Sequence, residues 1–322
     1  MIQDSWGRTI EYVRLSLTEA CNFCCPYCRP AEITPHSQIN LLSPDEWMVV
    51  LGAFHKMGVR ALRLTGGEPL LYPHFEELLV KVKATNWFED ISMTTNGSLL
   101  ASRAKELRQL GLNRVNISLD SLEEQTFAEC VGKSGQLDTV LSGIRAAIEA
   151  KFRSVKINTV LSRGWSDAEV ASLLKYVGSW PVIWRFIEYM PFQGDAFHGP
   201  TFDEWKAQLE RVSGGVLEEV HSVYGFGPAS YYRLPSGVVI GFICSMSHNY
   251  CDSCNRVRLT SDGRLRLCLL RDDESDLVSL VRQGYTSEQL LEHIEQALQR
   301  KQERHDGISM DTPERPMWRI GG

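Results

Sequence analysis

The chain has 322 residues, 43% of them apolar and 23% charged, which is the composition of a globular protein with a sizeable core. A formal net charge of −6 argues against nucleic acid or an anionic membrane as a general partner, so an anionic ligand has to meet a local basic cluster. The N-terminal segment is charged, and no apolar run is long enough to span a membrane. We therefore expect a cytoplasmic protein.

Strand and helix patterns alternate from residue 12 to about residue 190. Six apolar, β-branched runs predict strands at 11–17, 59–65, 90–95, 114–120, 154–161 and 182–189. A capping box at Ser43 and Glu46 begins the helix between the first two strands. Six strand–helix units imply parallel strands and are too few for a closed eight-stranded barrel. The sequence therefore predicts an α/β fold, a partial TIM-type barrel of about six units, with ligands at the carboxyl ends of the strands.

The pattern changes after Met190. A loop rich in Gly and Pro occupies residues 190–200, and a capping box at Thr201 and Glu204 begins another helix. Short strands around 230–243 and 256–269 and a helix around Leu290 follow. We divide the chain into a core at 1–190 and an α+β extension at 191–322. The extension ends in two glycines, for which disorder and a flexible strand are both open.

Seven of the nine cysteines lie in two tight groups, which in a reducing compartment favours metal ligation over disulfides. The first group is "CNFCCPYC", residues 21–28. Two C-x2-C pairs for zinc are normally separated by a loop, and the side chains of the adjacent Cys24 and Cys25 tend to diverge. The alternative is C-x3-C-x2-C, in which Cys21, Cys25 and Cys28 hold a 4Fe–4S cluster with one open iron. Cys24 is then the spare cysteine, although a competing register stays open.

This spacing occurs just after the first predicted strand, and Tyr27 stands before the last cysteine. The combination resembles the radical S-adenosylmethionine (SAM) superfamily. The motif "LTGGEP", residues 64–69, agrees with it, because glycines let a backbone approach a ligand closely. The resemblance implies that the open iron binds SAM, whose reductive cleavage gives a 5′-deoxyadenosyl radical.

The second group, Cys251, Cys254 and Cys268, has the spacing C-x2-C-x13-C. A structural zinc site with Cys244 as a fourth ligand is one interpretation. A second 4Fe–4S cluster with an open iron is the other. Arg256 and Arg258 follow directly and point to one side of an extended segment, which favours an anion site beside the metal. A solvated strand face is the simpler explanation of these two arginines.

With C-x2-C-N-R-x-R-L-T-x-D-G-x4-C and the terminal Gly-Gly, residues 12–322 resemble the GTP 3′,8-cyclases of molybdenum cofactor biosynthesis. The resemblance implies two 4Fe–4S clusters at the two ends of one cavity, with SAM at the first and the guanine base at the second. It implies conversion of GTP to (8S)-3′,8-cyclo-7,8-dihydroguanosine 5′-triphosphate. The implied partners are an electron donor and the downstream cyclic pyranopterin monophosphate synthase, and a homodimer is left open.

Site residues are carried over where the local motifs match. Those implied to contact SAM are Tyr27, Gly66, Gly67, Glu68, Ser118 and Met190. Those implied to contact GTP are Arg14, Arg63, Thr94, Lys156, Arg185, Arg256, Val257 and Arg258, with Arg14, Lys156, Arg256 and Arg258 also expected to act in catalysis. The cations among them lie on different predicted strands, so a barrel could point them inward together.

Two other hypotheses remain open from the sequence. One is a different radical SAM enzyme with auxiliary clusters, such as a peptide-modifying one, although such enzymes usually carry a longer cysteine-rich C-terminal motif. The other is a non-catalytic zinc or iron–sulfur scaffold.

Overall fold

The structure, a computed structural model, describes residues 2–29, 41–190, 199–221, 224–305 and 315–321. No helix within these ranges is both long and apolar enough to cross a lipid bilayer. Most of the predicted loop at 190–200 lies outside the described residues, as does the last glycine of the tail.

Twelve strands occur in these described ranges. They are β1 (Tyr12–Ser16), β2 (Ala61–Thr65), β3 (Asp90–Thr95), β4 (Arg114–Ser118), β5 (Ser154–Leu161), β6 (Ile183–Glu188), β7 (Glu218–Val220), β8 (Ser230–Arg233), β9 (Val239–Ile243), β10 (Arg256–Leu259), β11 (Arg264–Arg266) and β12 (Glu274–Asp276). The first six coincide with the six predicted strands.

Ten α-helices accompany the strands in the described residues. They are α1 (Pro44–Lys56), α2 (Phe75–Thr85), α3 (Ala104–Gln109), α4 (Glu124–Val131), α5 (Leu137–Glu149), α6 (Asp167–Val177), α7 (Phe202–Ser213), α8 (Val278–Arg282), α9 (Ser287–Leu298) and α10 (Met317–Ile320). The predicted capping boxes are present: Ser43 with Glu46 begins α1, and Thr201 with Glu204 begins α7. Each satisfies backbone N–H groups that the first helical turn leaves without partners.

All twelve strands form one open sheet in the order β12-β11-β10-β1-β2-β3-β4-β5-β6-β9-β8-β7, with β12 and β7 at its described ends. Strands β1 to β6 are parallel in sequence order, as predicted for a partial barrel. The C-terminal strands extend both edges: β10 pairs in parallel with β1, and β9 pairs in parallel with β6. Strands of the extension therefore flank the six-stranded core at both of its edges.

Each core strand alternates an apolar outer face with a polar inner face. On the outer face Val13, Leu62 and Met93 are buried in the hydrophobic core under the helices. On the inner face Arg14 pairs in register with Arg63, and both line a cavity. Because successive side chains of a strand point to opposite faces, one sequence pattern supplies both the core and a cationic interior.

The described part of the C-terminal tail reaches this interior. Residues 317–320 form the single turn α10, with Gly321 as its C-cap. Gly321 follows with a φ of +73°, and a Cβ there would lie 2.3 Å from Thr65 Oγ1. Its carbonyl oxygen accepts hydrogen bonds from Arg14 Nη2 at 3.1 Å and from Arg258 Nη1 at 3.0 Å. A glycine is required here for both its conformation and its size.

Candidate functional site

A central cavity of about 210 Å³ opens at the carboxyl ends of the core strands, where the sequence predicted ligands. Its walls come from the loops that follow β1, β2, β3, β4 and β6 and from the inner faces of the strands. A smaller cavity of about 60 Å³, the second cavity, adjoins it. The residues lining both are Met190, Ser245, Tyr250, Arg256, Arg258 and Leu269.

Three of the four clustered N-terminal cysteines line the central cavity: Cys21, Cys25 and Cys28, here called the first trio. Cys24 is not among the described lining residues. Its thiol lies 3.5 Å from the carbonyl oxygen of Arg29, and its N–H donates to the Val131 carbonyl at 2.9 Å. All nine cysteines are free thiols. The geometry agrees with the C-x3-C-x2-C register and with Cys24 as the spare residue.

The first trio is partly buried and crowded, so its thiolates need a positive partner. Burial, and then the neighbouring Cys21, raise the pKa of Cys28 to about 12. Burial and then Cys28 raise the pKa of Cys25 well above its usual value. Iron ions supply the charge that stabilises deprotonated sulfur, and thiolate is the usual ligand of iron–sulfur clusters. The donor set therefore fits a 4Fe–4S cluster held by three residues.

The glycine motif after β2 packs against the backbone that leads to the first trio. Gly67 N–H donates to the Thr18 carbonyl at 2.7 Å, and Glu68 N–H donates to the Ala20 carbonyl at 2.7 Å. A Cβ on Gly67 would lie 2.4 Å from the Ala20 carbonyl oxygen. The glycines thus do more than expose backbone to a ligand, since they let the two loops of the site touch.

Gly67→Ala is therefore expected to separate these loops and to lower both the melting temperature and the iron bound by the first trio. The added methyl group meets backbone, which cannot move aside as a flexible side chain can. Thermal unfolding and iron analysis check this. Gly164→Ala is the control, because a Cβ there meets nothing within 4 Å and the backbone is not in the left-handed region. Equal iron content in the Gly67 variant and the unaltered protein would contradict the packing role.

The residues expected to contact SAM differ in their placement. Tyr27, Gly66, Gly67, Ser118 and Met190 all line the central cavity. Glu68 is fully buried and lies behind it: its carboxylate accepts hydrogen bonds from Thr95 Oγ1 at 2.8 Å, from Asn96 N–H at 2.7 Å and from Leu70 N–H at 3.1 Å. Burial raises the pKa of Glu68 to about 7. In this position it joins the glycine loop to the end of β3.

Asp120 is a site residue that the sequence reasoning missed. It follows β4, lines the central cavity and is 3% exposed. Its carboxylate accepts hydrogen bonds from Tyr27 Oη at 2.7 Å and from Val160 N–H at 2.8 Å. Burial raises its pKa to about 6. Asp120 thereby anchors the cysteine loop to β5, and its only sequence signal is an acid directly after an apolar strand.

Most of the residues expected to contact GTP converge on the central cavity. Those that line it are Arg14, Arg63, Thr94, Arg185, Arg256 and Arg258. Lys156 lies beside them, with its amine donating to the Tyr224 carbonyl and to Tyr231 Oη at 3.2 Å. The side chain of Val257 points to the opposite face and is buried in the core, which leaves only its backbone for a ligand.

Several of these cations have neutral partners. Arg63 donates to Ser92 Oγ at 3.3 Å, and Arg185 donates to Asn158 Oδ1 at 2.7 Å. Among the described residues no ion pair with a carboxylate involves Arg63, Lys156, Arg185 or Arg258. Burying an unpaired charge is costly, so this arrangement favours a bound anion with several charges.

The pKa values reflect the same crowding of positive charge. Burial lowers the pKa of Arg63 most, and repulsion from Arg14 and Arg185 lowers it further. Tyr12 acts in the opposite direction but is outweighed, so this pKa falls to about 9. Burial and then Arg14 lower the pKa of Arg258 to about 9. A polyanion such as a triphosphate would relieve this repulsion.

The other three clustered cysteines, Cys251, Cys254 and Cys268, line the second cavity and are here called the second trio. Cys244 is not among the described lining residues. It packs against the core, and burial, followed by Glu188, raises its pKa to about 12. No three His, Cys, Asp or Glu side chains within the described ranges are placed to hold a single metal ion. The geometry agrees with a site of three thiols at the end of a shared cavity.

Two family models match successive parts of this architecture. The model of the radical SAM superfamily matches residues 15–177, and that of the family described as Molybdenum Cofactor Synthesis C matches residues 182–307. A solved structure with the same fold is SuiB of Streptococcus suis, at a TM-score of 0.63 and 14% identity over 89% of this chain and 68% of that chain. The chain is thus a radical SAM protein, a class whose members bind a 4Fe–4S cluster and SAM.

Relatives narrow this class. The chain is 39% identical to the GTP 3′,8-cyclase of Desulforamulus reducens over 99% of both chains. It is 38% identical to that of Pelotomaculum thermopropionicum over 100% of both chains, and 36% identical to that of Listeria monocytogenes over 100% of this chain and 99% of that one. The chain belongs to the GTP 3′,8-cyclase family.

Proposed function

We propose that the chain is a radical SAM enzyme that converts GTP to (8S)-3′,8-cyclo-7,8-dihydroguanosine 5′-triphosphate, in the first step of molybdenum cofactor biosynthesis. Family membership supports the activity. The observation that carries it is the juxtaposition of two cysteine trios at adjoining cavities with a group of cations between them. Such a site can bring a polyanionic nucleotide next to a radical source.

The first trio would hold a 4Fe–4S cluster, with SAM beside it in the central cavity. When bound, this pair supplies the 5′-deoxyadenosyl radical that removes the 3′ hydrogen of GTP. Tyr27, Gly66, Gly67, Ser118 and Met190 surround the position where SAM would lie, which supports them as its contacts. Glu68 would act from behind by fixing the glycine loop.

The second trio would hold a second 4Fe–4S cluster, which would supply a binding position for the guanine base. Arg256 and Arg258 line both cavities and so lie between the two trios. A base held at one end and a triphosphate held by arginines fix the distance between C3′ and C8. Positioning of this kind converts an improbable encounter into an intramolecular step.

Arg14, Arg63, Lys156, Arg185, Arg256 and Arg258 would bind the triphosphate, with Thr94 and the backbone of Val257 as polar contacts. Their role is electrostatic and geometric, since guanidinium groups form bidentate hydrogen bonds to phosphate. Of the four proposed to act in catalysis, Arg14 and Arg258 also hold the Gly321 carbonyl, so the tail lies against the same groups.

The wider setting is also proposed. The enzyme would work in the cytoplasm with an electron donor, and pass its product to a cyclic pyranopterin monophosphate synthase. A homodimer is a further expectation. Residues 1–190 would form the radical SAM core and residues 191–322 the extension with the second cluster, although strands from both parts share one sheet.

Anaerobic reconstitution followed by a SAM cleavage assay tests the proposal. We expect about eight irons per chain, from two 4Fe–4S clusters, and 5′-deoxyadenosine formation that rises when GTP is added. ATP, with the same triphosphate and another base, serves as the control nucleotide, and a cysteine-containing peptide as the control substrate class. If the peptide and not GTP stimulated 5′-deoxyadenosine formation, the assignment of GTP as the substrate would be wrong.

GTP binding is expected to take up a proton through Lys156. Burial, and then repulsion from Arg185 and Arg114, lower the pKa of Lys156 to about 6, so before a ligand binds the amine is mostly neutral at about pH 8. A neighbouring triphosphate favours the charged form and raises this pKa. We therefore expect uptake approaching one proton at about pH 8, where GTP is fully ionised, and a smaller uptake at lower pH, where the amine is already charged and the terminal phosphate of GTP brings its own proton.

Calorimetry in two buffers of different ionisation enthalpy measures this uptake. Lys156→Met should abolish most of the proton uptake at about pH 8 and weaken GTP binding. Lys175→Met, which removes an exposed lysine from α6, should leave both unchanged. The same proton uptake in the Lys156 variant as in the unaltered enzyme would contradict this assignment.

A further inference from the structure

Lys301 is a buried lysine outside both cavity linings. It follows α9 and is only 4% exposed. Its amine donates to the carbonyl of Leu267, the residue before Cys268, and its own carbonyl accepts from Trp6 Nε1 at 3.0 Å. Since it lines neither the central nor the second cavity, Lys301 is not placed to touch the substrate.

Within the described chain Lys301 has no carboxylate partner. Two other buried cations behind the second trio are different. Arg8 Nε pairs with Asp4 Oδ2 at 2.6 Å while its Nη1 donates to the Cys251 carbonyl at 2.9 Å. Arg266 donates to the Cys268 carbonyl at 3.1 Å and likewise pairs with carboxylates. The positive charge of Arg8 is thus neutralised by a carboxylate, whereas the positive charge of Lys301 is not. A buried, unpaired ammonium is costly unless something anionic lies near it.

The second trio is the candidate for that anion. The carbonyl that accepts from the Lys301 amine belongs to Leu267, which lines the second cavity directly before Cys268. The charge of Lys301 is therefore held against the loop that carries one of the three thiols.

We propose that Lys301 is the counter-charge of the second cluster and raises its reduction potential. The inference rests on the proposed second cluster. Three thiolates around a 4Fe–4S core carry net negative charge, and reduction adds one more. A fixed positive charge behind the ligand loop stabilises the reduced form more than the oxidised one. Lys301 is thus a tuning residue that acts through the cluster and its loop.

Redox titration of the reconstituted full chain, followed by electron paramagnetic resonance, tests this. Lys301→Met keeps the length of the side chain and removes its charge. We expect it to shift the potential of the second cluster to more negative values and to leave that of the first cluster unchanged. Arg300→Met is the matched control, because this neighbouring cation is 52% exposed and pairs with Asp273 at the surface. It should shift neither potential.

Each outcome decides the inference. An unchanged second potential in Lys301→Met, or an equal shift of both clusters, would overturn it. Should Lys301→Met bind only about four irons, Lys301→Arg is measured: about eight irons there supports a need for charge, and about four shows a purely structural role and overturns the inference. If the unaltered protein itself binds only about four irons, the proposed second cluster is wrong.

Discussion

Cys25→Ala is expected to bind about four irons in place of about eight and to cleave no SAM, whereas Cys24→Ala next to it is expected to keep both properties. Cys25 lines the central cavity with Cys21 and Cys28. Cys24 instead lies against the Arg29 carbonyl, outside the described lining. Two thiolates are too few to hold the cluster, so its loss should be complete and not graded.

Iron and sulfide analysis, together with 5′-deoxyadenosine measured by chromatography, check this pair of variants. The comparison is closely matched, because the two residues are adjacent and carry the same side chain. If Cys24→Ala abolished SAM cleavage and Cys25→Ala did not, the ligand register would be wrong. If both variants lost the metal, the two C-x2-C pairs would have to be reconsidered.

Cys251→Ser should abolish cyclisation of GTP and leave the first cluster intact. Cys251 is one of three thiols on the second cavity, which adjoins the central cavity through Met190, Tyr250 and the arginines of β10. Without the second cluster the base has no anchor, so C8 is no longer held near C3′. We expect about four irons, the spectrum of one cluster, and no cyclised product.

Cys244→Ser is the control for this second prediction. Its thiol packs against the core and away from the lining of the second cavity, so about eight irons and full cyclisation should remain, with a modest loss of stability from a buried hydroxyl. Product analysis and iron content distinguish the two variants. Loss of metal on replacing Cys244, with zinc in the unaltered protein, would instead identify a four-cysteine zinc site.

The core of the fold is predictable because its signals are local. Alternating strands and the capping boxes at Ser43 and Thr201 fix six strand–helix units, and parallel connections follow from them. The placement of the extension is not local. Nothing in the short runs at 239–243 or 256–259 tells which edge of the sheet each strand joins, since edge pairing depends on tertiary contacts.

The functional site also has parts that local sequence signals predict and parts that they do not. Cysteine spacing identifies both trios, and the loops and strands bring them to adjoining cavities. Burial is invisible in the sequence, so Asp120 and Lys301 were not singled out, although each is less than 5% exposed. Glu68 is the opposite case, a residue that the sequence singled out as a ligand contact. Its carboxylate instead accepts hydrogen bonds from the end of β3.

The most direct test of the account uses GTP carrying deuterium at C3′. The two trios and the cations between them are proposed to hold this carbon where the 5′-deoxyadenosyl radical can reach it. Mass spectrometry of the 5′-deoxyadenosine formed under anaerobic, reducing conditions should therefore show one added deuterium, together with a cyclised triphosphate that has lost it. Unlabelled 5′-deoxyadenosine formed alongside cyclised product that retains the deuterium would contradict the account.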